Sequence, residues 1–232
     1  MSIKLTERLQ CIADMTGSVA AAADIGCDHG RLSVYLAQQG VKVIAVDISP
    51  QSLRKAELLA ARRRVEGMVD CRLGDGLMPL KPGEVQAIII SGIGQRNIAE
   101  ILDKGGRVAN GSEFIVLQPM DGAMLLRREL CSLGYRIEDE TLAREGRRLH
   151  PVIKAVQAGK EMKLGIAEQA LGPVLLGSKS KYMHDYLLEQ LRIWSSIAEG
   201  RRRATEIQES GLMDINQIID AIGERLSGSK GN

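Results

Sequence analysis

The feature that most constrains this chain is the alternation of short apolar segments with longer segments of helical periodicity. Seven short segments are rich in aliphatic residues and resemble strands, over residues 19–25, 41–48, 69–73, 85–91, 114–118, 135–142 and 152–157. Helical spacing of apolar residues characterises residues 5–15, 31–39, 95–103, 121–132 and a long segment that opens at Ser49-Pro50. Such alternation predicts an α/β fold, with a mostly parallel seven-stranded sheet and helices on both faces. The last two strands have no helix between them, so we expect them to be antiparallel.

The pattern changes after Gly159, and Gly172-Pro173 interrupts the chain. Two apolar stripes with helical spacing follow, Met183–Leu187–Leu191–Trp194–Ala198 and Ile215–Ile218–Ile219–Ile222–Leu226, with Ser210-Gly211 between them. We predict a small, coiled-coil-like helical hairpin as a second domain. The predicted boundaries are residues 1–160 for the α/β domain and 161–232 for the helical domain.

Composition excludes several classes of protein. The four cysteines, at positions 11, 27, 71 and 131, form no CxxC pair, and the chain has three dispersed histidines, so we expect no metal site. No apolar run approaches the length of a membrane span, and the N-terminus does not resemble a secretory signal. We therefore expect a cytoplasmic protein with reduced thiols, not bound to a membrane, and a monomer.

Basic residues are clustered although the net charge is only +2. The clusters are Arg62-Arg63-Arg64, Arg127-Arg128, Arg144 with Arg147-Arg148, and Arg201-Arg202-Arg203. Arginine suits phosphate because its planar fork donates two hydrogen bonds at once. For any single cluster, a solvated helix face or strand end is the favoured interpretation, but it is less favoured for all four together. The candidate contacts with a nucleic acid are Arg127, Arg147 and Arg148.

The ends of the first two strands predict a nucleoside site. The first strand ends in Asp24-Ile25-Gly26-Cys27-Asp28-His29-Gly30, and Asp47-Ile48 ends the second strand, 21 residues after Gly26. Glycines allow close approach of a ligand to the backbone, and an acid at that spacing accepts hydrogen bonds from a ribose diol. The alternative for Asp47 is a cap of the following helix, which Ser49 can provide alone.

The charge of Asp28 distinguishes between ligands. In a dinucleotide-binding turn this position is a glycine that admits a pyrophosphate, which a carboxylate would repel. A carboxylate suits a cation instead, and S-adenosylmethionine carries a sulfonium and an ammonium beside its ribose. Asp24 is a second candidate for the ammonium. The alternative for Asp28 is an N-cap of the helix that begins near Arg31.

The other strand ends supply candidates for the rest of the cleft. Gly74-Asp75-Gly76 can present a carboxylate to an adenine amino group, although Asp-Gly is also a common turn. Ser91-Gly92-Ile93-Gly94 ends the fourth strand, where a methyl acceptor would approach. Ser91 and Gly92 are candidates to contact the cofactor, and Ile93 and Gly94 are candidates to contact the acceptor. Gln118-Pro119 ends the fifth strand, and Gln118 is a candidate to contact a base edge.

These residues resemble those of the bacterial tRNA (adenine-22-N1)-methyltransferases. The resemblance is carried by ADIGCDHGRLSVYL from Ala23, LGDGL from Leu73, ISGIGQRNIAEIL from Ile90, VLQPM from Val116 and LGPVLLGSKSKYMHDYL from Leu171. It implies a Rossmann-like class I methyltransferase domain followed by a helical domain, S-adenosylmethionine as cofactor, and N1 of a tRNA adenosine as acceptor. In that family the turn after the fourth strand reads G-M-G-G and the fifth strand ends L-Q-P-N. Here Gln95 and Met120 replace the last residue of each, so the donor is predicted more specifically than the acceptor base.

The resemblance also suggests a mechanism. N1 of neutral adenine carries a free lone pair, so the enzyme mainly has to align nucleophile, methyl group and sulfur. A carboxylate near the product ring would stabilise its positive charge, and Asp28 is the candidate. His29 is a candidate to orient the base, with a structural role as the alternative. Other readings are methylation of another RNA or a small molecule, a diverged protein that binds donor or RNA without catalysis, and a nicotinamide-dependent oxidoreductase, which Asp28 disfavours.

Overall fold

The structure is a computed structural model that describes residues 3–203 and 209–228. It divides into two compact units, Met1–Met162 and Lys163–Asn232. The first unit contains a seven-stranded sheet whose strands are β1 (Ala21–Ile25), β2 (Lys42–Asp47), β3 (Val69–Leu73), β4 (Ala87–Ile93), β5 (Phe114–Pro119), β6 (Tyr135–Glu145) and β7 (Arg148–Gln157). Its helices are α1 (Glu7–Thr16), α2 (Arg31–Gln38), α3 (Pro50–Arg63), α4 (Gln95–Lys104), α5 (Gly106–Ala109) and α6 (Ala123–Ser132).

The strand order is β3-β2-β1-β4-β5-β7-β6. The five strands from β3 to β5 pair in parallel, whereas β7 is antiparallel to both β5 and β6. The sheet is therefore mixed, with the predicted antiparallel pair at one edge. The order reverses beside β1 and β4, and in open α/β sheets ligands bind outside the carboxyl ends of the strands at such a point.

Buried aliphatic residues hold this sheet between its helices. Ala87, Ile88, Ile89 and Ile90 of β4 are fully buried, as expected for a central strand covered on both faces. Local signals set the helix ends: the Ser49 hydroxyl caps α3 by accepting a hydrogen bond from Ser52 N, with Pro50 at the first helical position. Rigid packing of the central strands fixes where their carboxyl ends, and hence the turns that follow, lie.

The second unit contains the helices α7 (Ile166–Leu171), α8 (Met183–Arg203) and α9 (Glu209–Gly228). Helices α8 and α9 pack against each other, and both predicted apolar stripes contribute buried residues: Met183, Leu187, Ala198, Ile215, Ile218 and Ile222. Ser210-Gly211 was predicted to separate the helices, but both residues lie within α9. The described part of the chain contains no helix long and apolar enough to cross a membrane.

One predicted RNA contact needs correction. Arg127 of α6 is fully buried, and its Nε donates to Oε1 of Glu140 on β6 at 2.7 Å, with both side chains inaccessible to solvent. It cannot reach an RNA phosphate. This burial could not be predicted from the sequence, because an arginine on an amphipathic helix is normally exposed. Here the arginine connects α6 to the edge strand of the sheet.

We expect Arg127→Met to destabilise the protein by about 3–5 kcal/mol, because the substitution leaves the buried Glu140 carboxylate without its guanidinium. The neighbouring Arg128 is exposed, and Arg128→Met should change the free energy of unfolding by about 0.5 kcal/mol or less. Urea unfolding of the two variants measures the difference. Equal losses would show that the ion pair does not stabilise the fold.

Candidate functional site

A cavity of 630 Å³ opens at the carboxyl ends of β1, β2 and β4. It lies within the range of small-molecule sites and is formed by the turns that the sequence singled out. The predicted cofactor residues that line it are Asp24, Gly26, Cys27, Asp28, His29, Asp47, Ile48, Gly74, Asp75, Gly76, Ser91 and Gly92. Gly30 is the predicted cofactor residue that does not line it.

The two glycines of the turn after β1 have different roles. Both have positive φ, +72° at Gly26 and +68° at Gly30. A Cβ at Gly26 would meet nothing within 4 Å, whereas a Cβ at Gly30 would lie 2.6 Å from Cβ of Ala56 on α3. Gly26 therefore leaves space on the cavity side, and Gly30 allows α2 and α3 to approach each other. Gly30, not Asp28, is the N-cap of α2, so the capping alternative for Asp28 is wrong.

Asp47 joins the turns after β1 and β2. Its Oδ2 accepts from Asp28 N at 2.9 Å, and its Oδ1 accepts from Ser49 N at 2.9 Å. Ser49 itself caps α3, so Asp47 is not needed for that task. The carboxylate is half-buried in the cavity wall, held by two backbone donors, and each oxygen retains capacity for a ligand hydroxyl.

Asp24 is a buried acid at the base of the cavity, 3% exposed. Ser33 Oγ donates to its Oδ2 at 2.5 Å. Burial raises the pKa of the Asp24 carboxyl to about 6, although the hydrogen bonds from Ser33 oppose that rise. Below neutral pH this group therefore changes between a neutral acid and a carboxylate, and a cation in the cavity would favour the carboxylate.

Asp28 and His29 lie at the mouth of the cavity. The Asp28 side chain is 73% exposed and its φ is +50°, a left-handed conformation that Asp tolerates better than most residues. His29 Nε2 lies 3.4 Å from Asp28 Oδ1 and 2.9 Å from Lys55 Nζ. A lysine ammonium only donates, so Nε2 of a neutral His29 accepts from Lys55. Asp28 thus remains open to a ligand, while His29 already has a polar partner.

Burial raises the pKa of the Cys27 thiol well above its usual value, and the nearby carboxylate of Asp24 adds to the effect. A thiol with a raised pKa is a weak nucleophile. Cys27 therefore contributes shape to the cavity. Among residues 3–203 and 209–228, no group of three or more His, Cys, Asp or Glu is arranged to hold a metal ion.

The residues predicted for the acceptor lie in several places. Ile93 lines the cavity, but Gly94, Gln118 and Pro119 do not. Gln118 is fully buried, and its Oε1 accepts from Arg8 Nη1 and Gly92 N, so the prediction that it contacts a base edge is wrong. Pro119 is buried as well, which removes it as a base contact. The sequence showed that these residues end a strand, but not which way their side chains turn.

The replacements Gln95 and Met120 lie just outside the cavity lining. Gln95 N donates to Asp121 Oδ1 at 3.1 Å, and Met120 is 37% exposed, with its backbone N bonded to Ile93 O. Gln95 packs so closely on Gly122 that a Cβ there would lie 2.3 Å from Cγ of Gln95. The glutamine is thus accommodated by a glycine opposite it and does not fill the cavity.

Arg147 and Arg148 are exposed at the turn between β6 and β7, outside the cavity. They remain accessible to a large anionic partner. Several further residues that line the cavity were not predicted from the sequence, namely Arg8, Met78, Asn97, Glu100 and Lys104. The four on helices occupy polar positions of amphipathic segments, so their sequence pattern resembles that of any solvated helix face.

Comparison with known proteins connects this geometry to a family. Residues 5–153 match the family model described as a methyltransferase domain. The chain is 30% identical over 214 residues to the tRNA (adenine(22)-N(1))-methyltransferase of Bacillus subtilis, covering 90% of each protein. A crystal structure of the Bacillus subtilis m1A22 tRNA methyltransferase superposes with a TM-score of 0.82 at 27% identity, covering 97% of this chain and 100% of that one. A putative tRNA (m1A22) methyltransferase of Streptococcus pneumoniae, in complex with S-adenosyl-L-methionine, superposes with a TM-score of 0.78 at 25% identity, covering 96% and 100%.

The two glycines of the turn after β1 can be compared by substituting each with alanine. Gly26→Ala should cost about 1–2 kcal/mol of stability, the price of a left-handed backbone for an L residue. Gly30→Ala carries the same cost plus overpacking against Ala56, about 1–3 kcal/mol more. Urea unfolding of both variants separates the two contributions. A Gly30→Ala variant no less stable than Gly26→Ala would contradict the close approach of α2 to α3.

Proposed function

The chain belongs to the tRNA (adenine(22)-N(1))-methyltransferase family, and from this we propose that it transfers a methyl group from S-adenosylmethionine to N1 of an adenosine in tRNA, with adenine 22 as the target. The observation that carries the proposal is the acidic cavity at the strand order reversal, in a chain related to this family along nearly its whole length. The match includes the helical unit as well as the α/β unit, so the likeness extends beyond the common methyltransferase fold.

The residues present fit S-adenosylmethionine. Asp47, at the end of β2, is placed to accept hydrogen bonds from the ribose, and Asp75 lies exposed in the cavity wall for the adenine amino group. The open space over Gly26 admits a ligand against the backbone, and Asp24 and Asp28 provide negative charge for the ammonium and sulfonium. When bound, S-adenosylmethionine supplies an electrophilic methyl group attached to a positively charged sulfur.

The chain's own residues have a limited chemical task. The lone pair of adenine N1 needs no strong base, so the walls of the cavity orient the acceptor and exclude water. Ser91, Gly92 and Ile93, the last three residues of β4, line the cavity and are the proposed acceptor side. Asp28, exposed at the mouth, is the proposed group that stabilises the positive charge of the methylated ring. His29 is the proposed group that orients the base, and to do so its Nε2 must exchange the hydrogen bond from Lys55 for one with the base.

We assign tRNA binding to exposed basic residues and to the helical domain, residues 161–232. Arg147 and Arg148 are exposed in the α/β unit, and Lys179, Lys181, Arg192, Arg201 and Arg202 are exposed in the helical unit. Phosphate contacts of this kind provide affinity without reading sequence. They would offset the cost of about a few kcal/mol for unstacking the target base. A tRNA substrate places the activity in the cytoplasm.

The proposal is tested by incubating the protein with unmodified tRNA and S-adenosylmethionine and identifying the modified nucleoside and its position by mass spectrometry. We expect 1-methyladenosine at position 22. Asp28→Asn should lower the rate about tenfold or more, since a hydrogen bond to a charged group contributes about 1.5–3 kcal/mol. Asp103→Asn, at an exposed position of α4 outside the cavity, is the control. Methylation of ribosomal RNA alone would favour the alternative of another RNA as acceptor. Cofactor binding without transfer to RNA would favour a diverged protein that binds the donor without catalysis.

The raised pKa of Asp24 predicts pH-dependent cofactor affinity. In the free protein this carboxyl has a pKa of about 6, so it is mostly neutral at pH 5 and mostly ionised at pH 7. A cationic ligand favours the ionised form, so its binding releases a proton and affinity rises with pH until about 6, then levels off. Calorimetry should show about tenfold weaker binding of S-adenosylmethionine at pH 5 than at pH 7.

Two variants identify the group responsible. Asp24→Asn should bind weakly and lose the pH dependence. Ser33→Ala removes a hydrogen bond that lowers the pKa of Asp24, so the midpoint should move to higher pH. If the affinity of the wild-type protein for S-adenosylmethionine is constant from pH 5 to pH 7, Asp24 does not interact with the ammonium group.

A further inference from the structure

Arg8 of α1 connects three elements at the β4 side of the cavity. Its side chain is 16% exposed and lines the cavity. Nη1 donates to Gln118 Oε1 at 2.8 Å, and Nε lies 3.1 Å from Oε1 of Glu145 at the end of β6. The contact with Gln118 is a hydrogen bond, and the contact with Glu145 is an ion pair without hydrogen-bond geometry. Together they give Arg8 a defined position, unlike that of an arginine on a solvated helix face.

Gln118 transmits this contact to the backbone of β4. Its Oε1 accepts from Gly92 N at 3.2 Å as well as from Arg8, while its Nε2 donates to Pro119 O at 2.8 Å. The amide is fully buried, so both of its ends must be satisfied by these partners. Arg8 supplies the charged donor of the set, and charge-assisted hydrogen bonds are about twice as strong as neutral ones.

Gly92 is the position where β4 departs from regular pairing. The register with β5 shifts between Ser91 and Ile93, so the strand ladder does not satisfy Gly92 N in the usual way. The Gln118 side chain accepts from this N–H instead. The conformation of the cavity wall at Ser91–Ile93 therefore depends on the orientation of the Gln118 amide, which Arg8 fixes.

We propose that Arg8 is a positioning residue for methyl transfer, which holds β4 in place at Gly92 through Gln118 and is itself paired with Glu145. The proposal rests on the proposed function, since it assigns this wall to the acceptor base. It requires no contact between Arg8 and cofactor or RNA. Its effect is to keep the acceptor aligned, and misplacement of a reacting group by about 1 Å can cost about a hundredfold in rate.

The test uses the full-length protein with the single substitutions Arg8→Met, Arg8→Lys, Gln118→Met and Glu145→Gln. A double variant combines Arg8→Met and Gln118→Met. Arg54→Met is the matched control, because Arg54 is an exposed arginine of α3 in the same unit, paired with Glu57. For each variant we would measure the thermal midpoint, the affinity for S-adenosylmethionine by calorimetry, and kcat and KM for tRNA.

We expect Arg8→Met to lower kcat about tenfold to a hundredfold, with the cofactor Kd and the KM for tRNA each within about threefold of wild type. Arg8→Lys should recover part of kcat, because a lysine supplies one charged donor but cannot bridge Gln118 and Glu145 with a fork. The double substitution should lose no more than the larger single loss, since the two residues act as one unit.

A readout without turnover keeps the inference separate from the proposed function. Amide hydrogen exchange of the segment 90–95 should accelerate in Arg8→Met and Glu145→Gln, but not in Arg54→Met. Unchanged exchange in both Arg8 and Glu145 variants would overturn the proposal even if the enzyme is active. If exchange accelerates in these variants but the wild-type protein methylates no tRNA, the result would count against the proposed function and not against the contact of Arg8 with the β4 wall.

Three other outcomes would overturn it. A cofactor Kd weakened in parallel with kcat/KM would show that Arg8 contacts the cofactor directly. A rise in KM for tRNA with unchanged kcat would make Arg8 an RNA contact. Additive losses in the double variant would separate Arg8 from Gln118.

Discussion

The candidate site depends on the hydrogen bond between Asp28 N and the carboxylate of Asp47. This contact at 2.9 Å joins the turn after β1 to the end of β2, and the second oxygen of the same carboxylate holds Ser49 N. Parallel pairing of the two strands brings their carboxyl ends to one edge, but it does not by itself order the turns. One acid with two backbone donors orders both, and it leaves the Gly26 backbone facing open space where a ligand can approach.

Charge then selects among the ligands that this edge can hold. Asp24, Asp28, Asp47 and Asp75 all line the cavity, and among its lining residues Lys104 pairs with Glu100. Arg8, Arg31 and Lys104 also line the cavity, but Arg8 is paired with Glu145 as Lys104 is with Glu100. A diphosphate would be repelled by the four aspartates, whereas a sulfonium and an ammonium would meet opposite charge. The buried Asp24 tunes this preference, because its raised pKa makes its charge sensitive to whether a cation is present. The fold admits many nucleotides, and these side chains narrow the choice.

The placement of a residue could be predicted where it follows from position along the chain. The glycine turn, Asp47 and Ser91-Gly92 lie at or next to strand ends, which periodicity locates, and they all line the cavity. Prediction failed where the role depends on the direction of a side chain. Gln118 turns inward to the backbone of β4, and Arg127 turns inward to Glu140, although both occupy positions where polar residues are usually exposed. Arg8 lies 110 residues from Gln118 in the chain, and no local pattern connects them.

The two sides of the cavity therefore differ in how they are built. On the proposed cofactor side, aspartates line the cavity, and the two backbone partners of Asp47 lie in the adjoining turns. On the proposed acceptor side, the buried amide of Gln118 accepts from Gly92 N and is supported by Arg8 of α1, which pairs with Glu145 of β6. Gln95 lies against Gly122 and outside the cavity lining, so it does not alter this wall. Under the proposed function, alignment of the acceptor depends on the contacts that connect Arg8 and Gln118 to Gly92 at the end of β4, so residues remote from the base would control it.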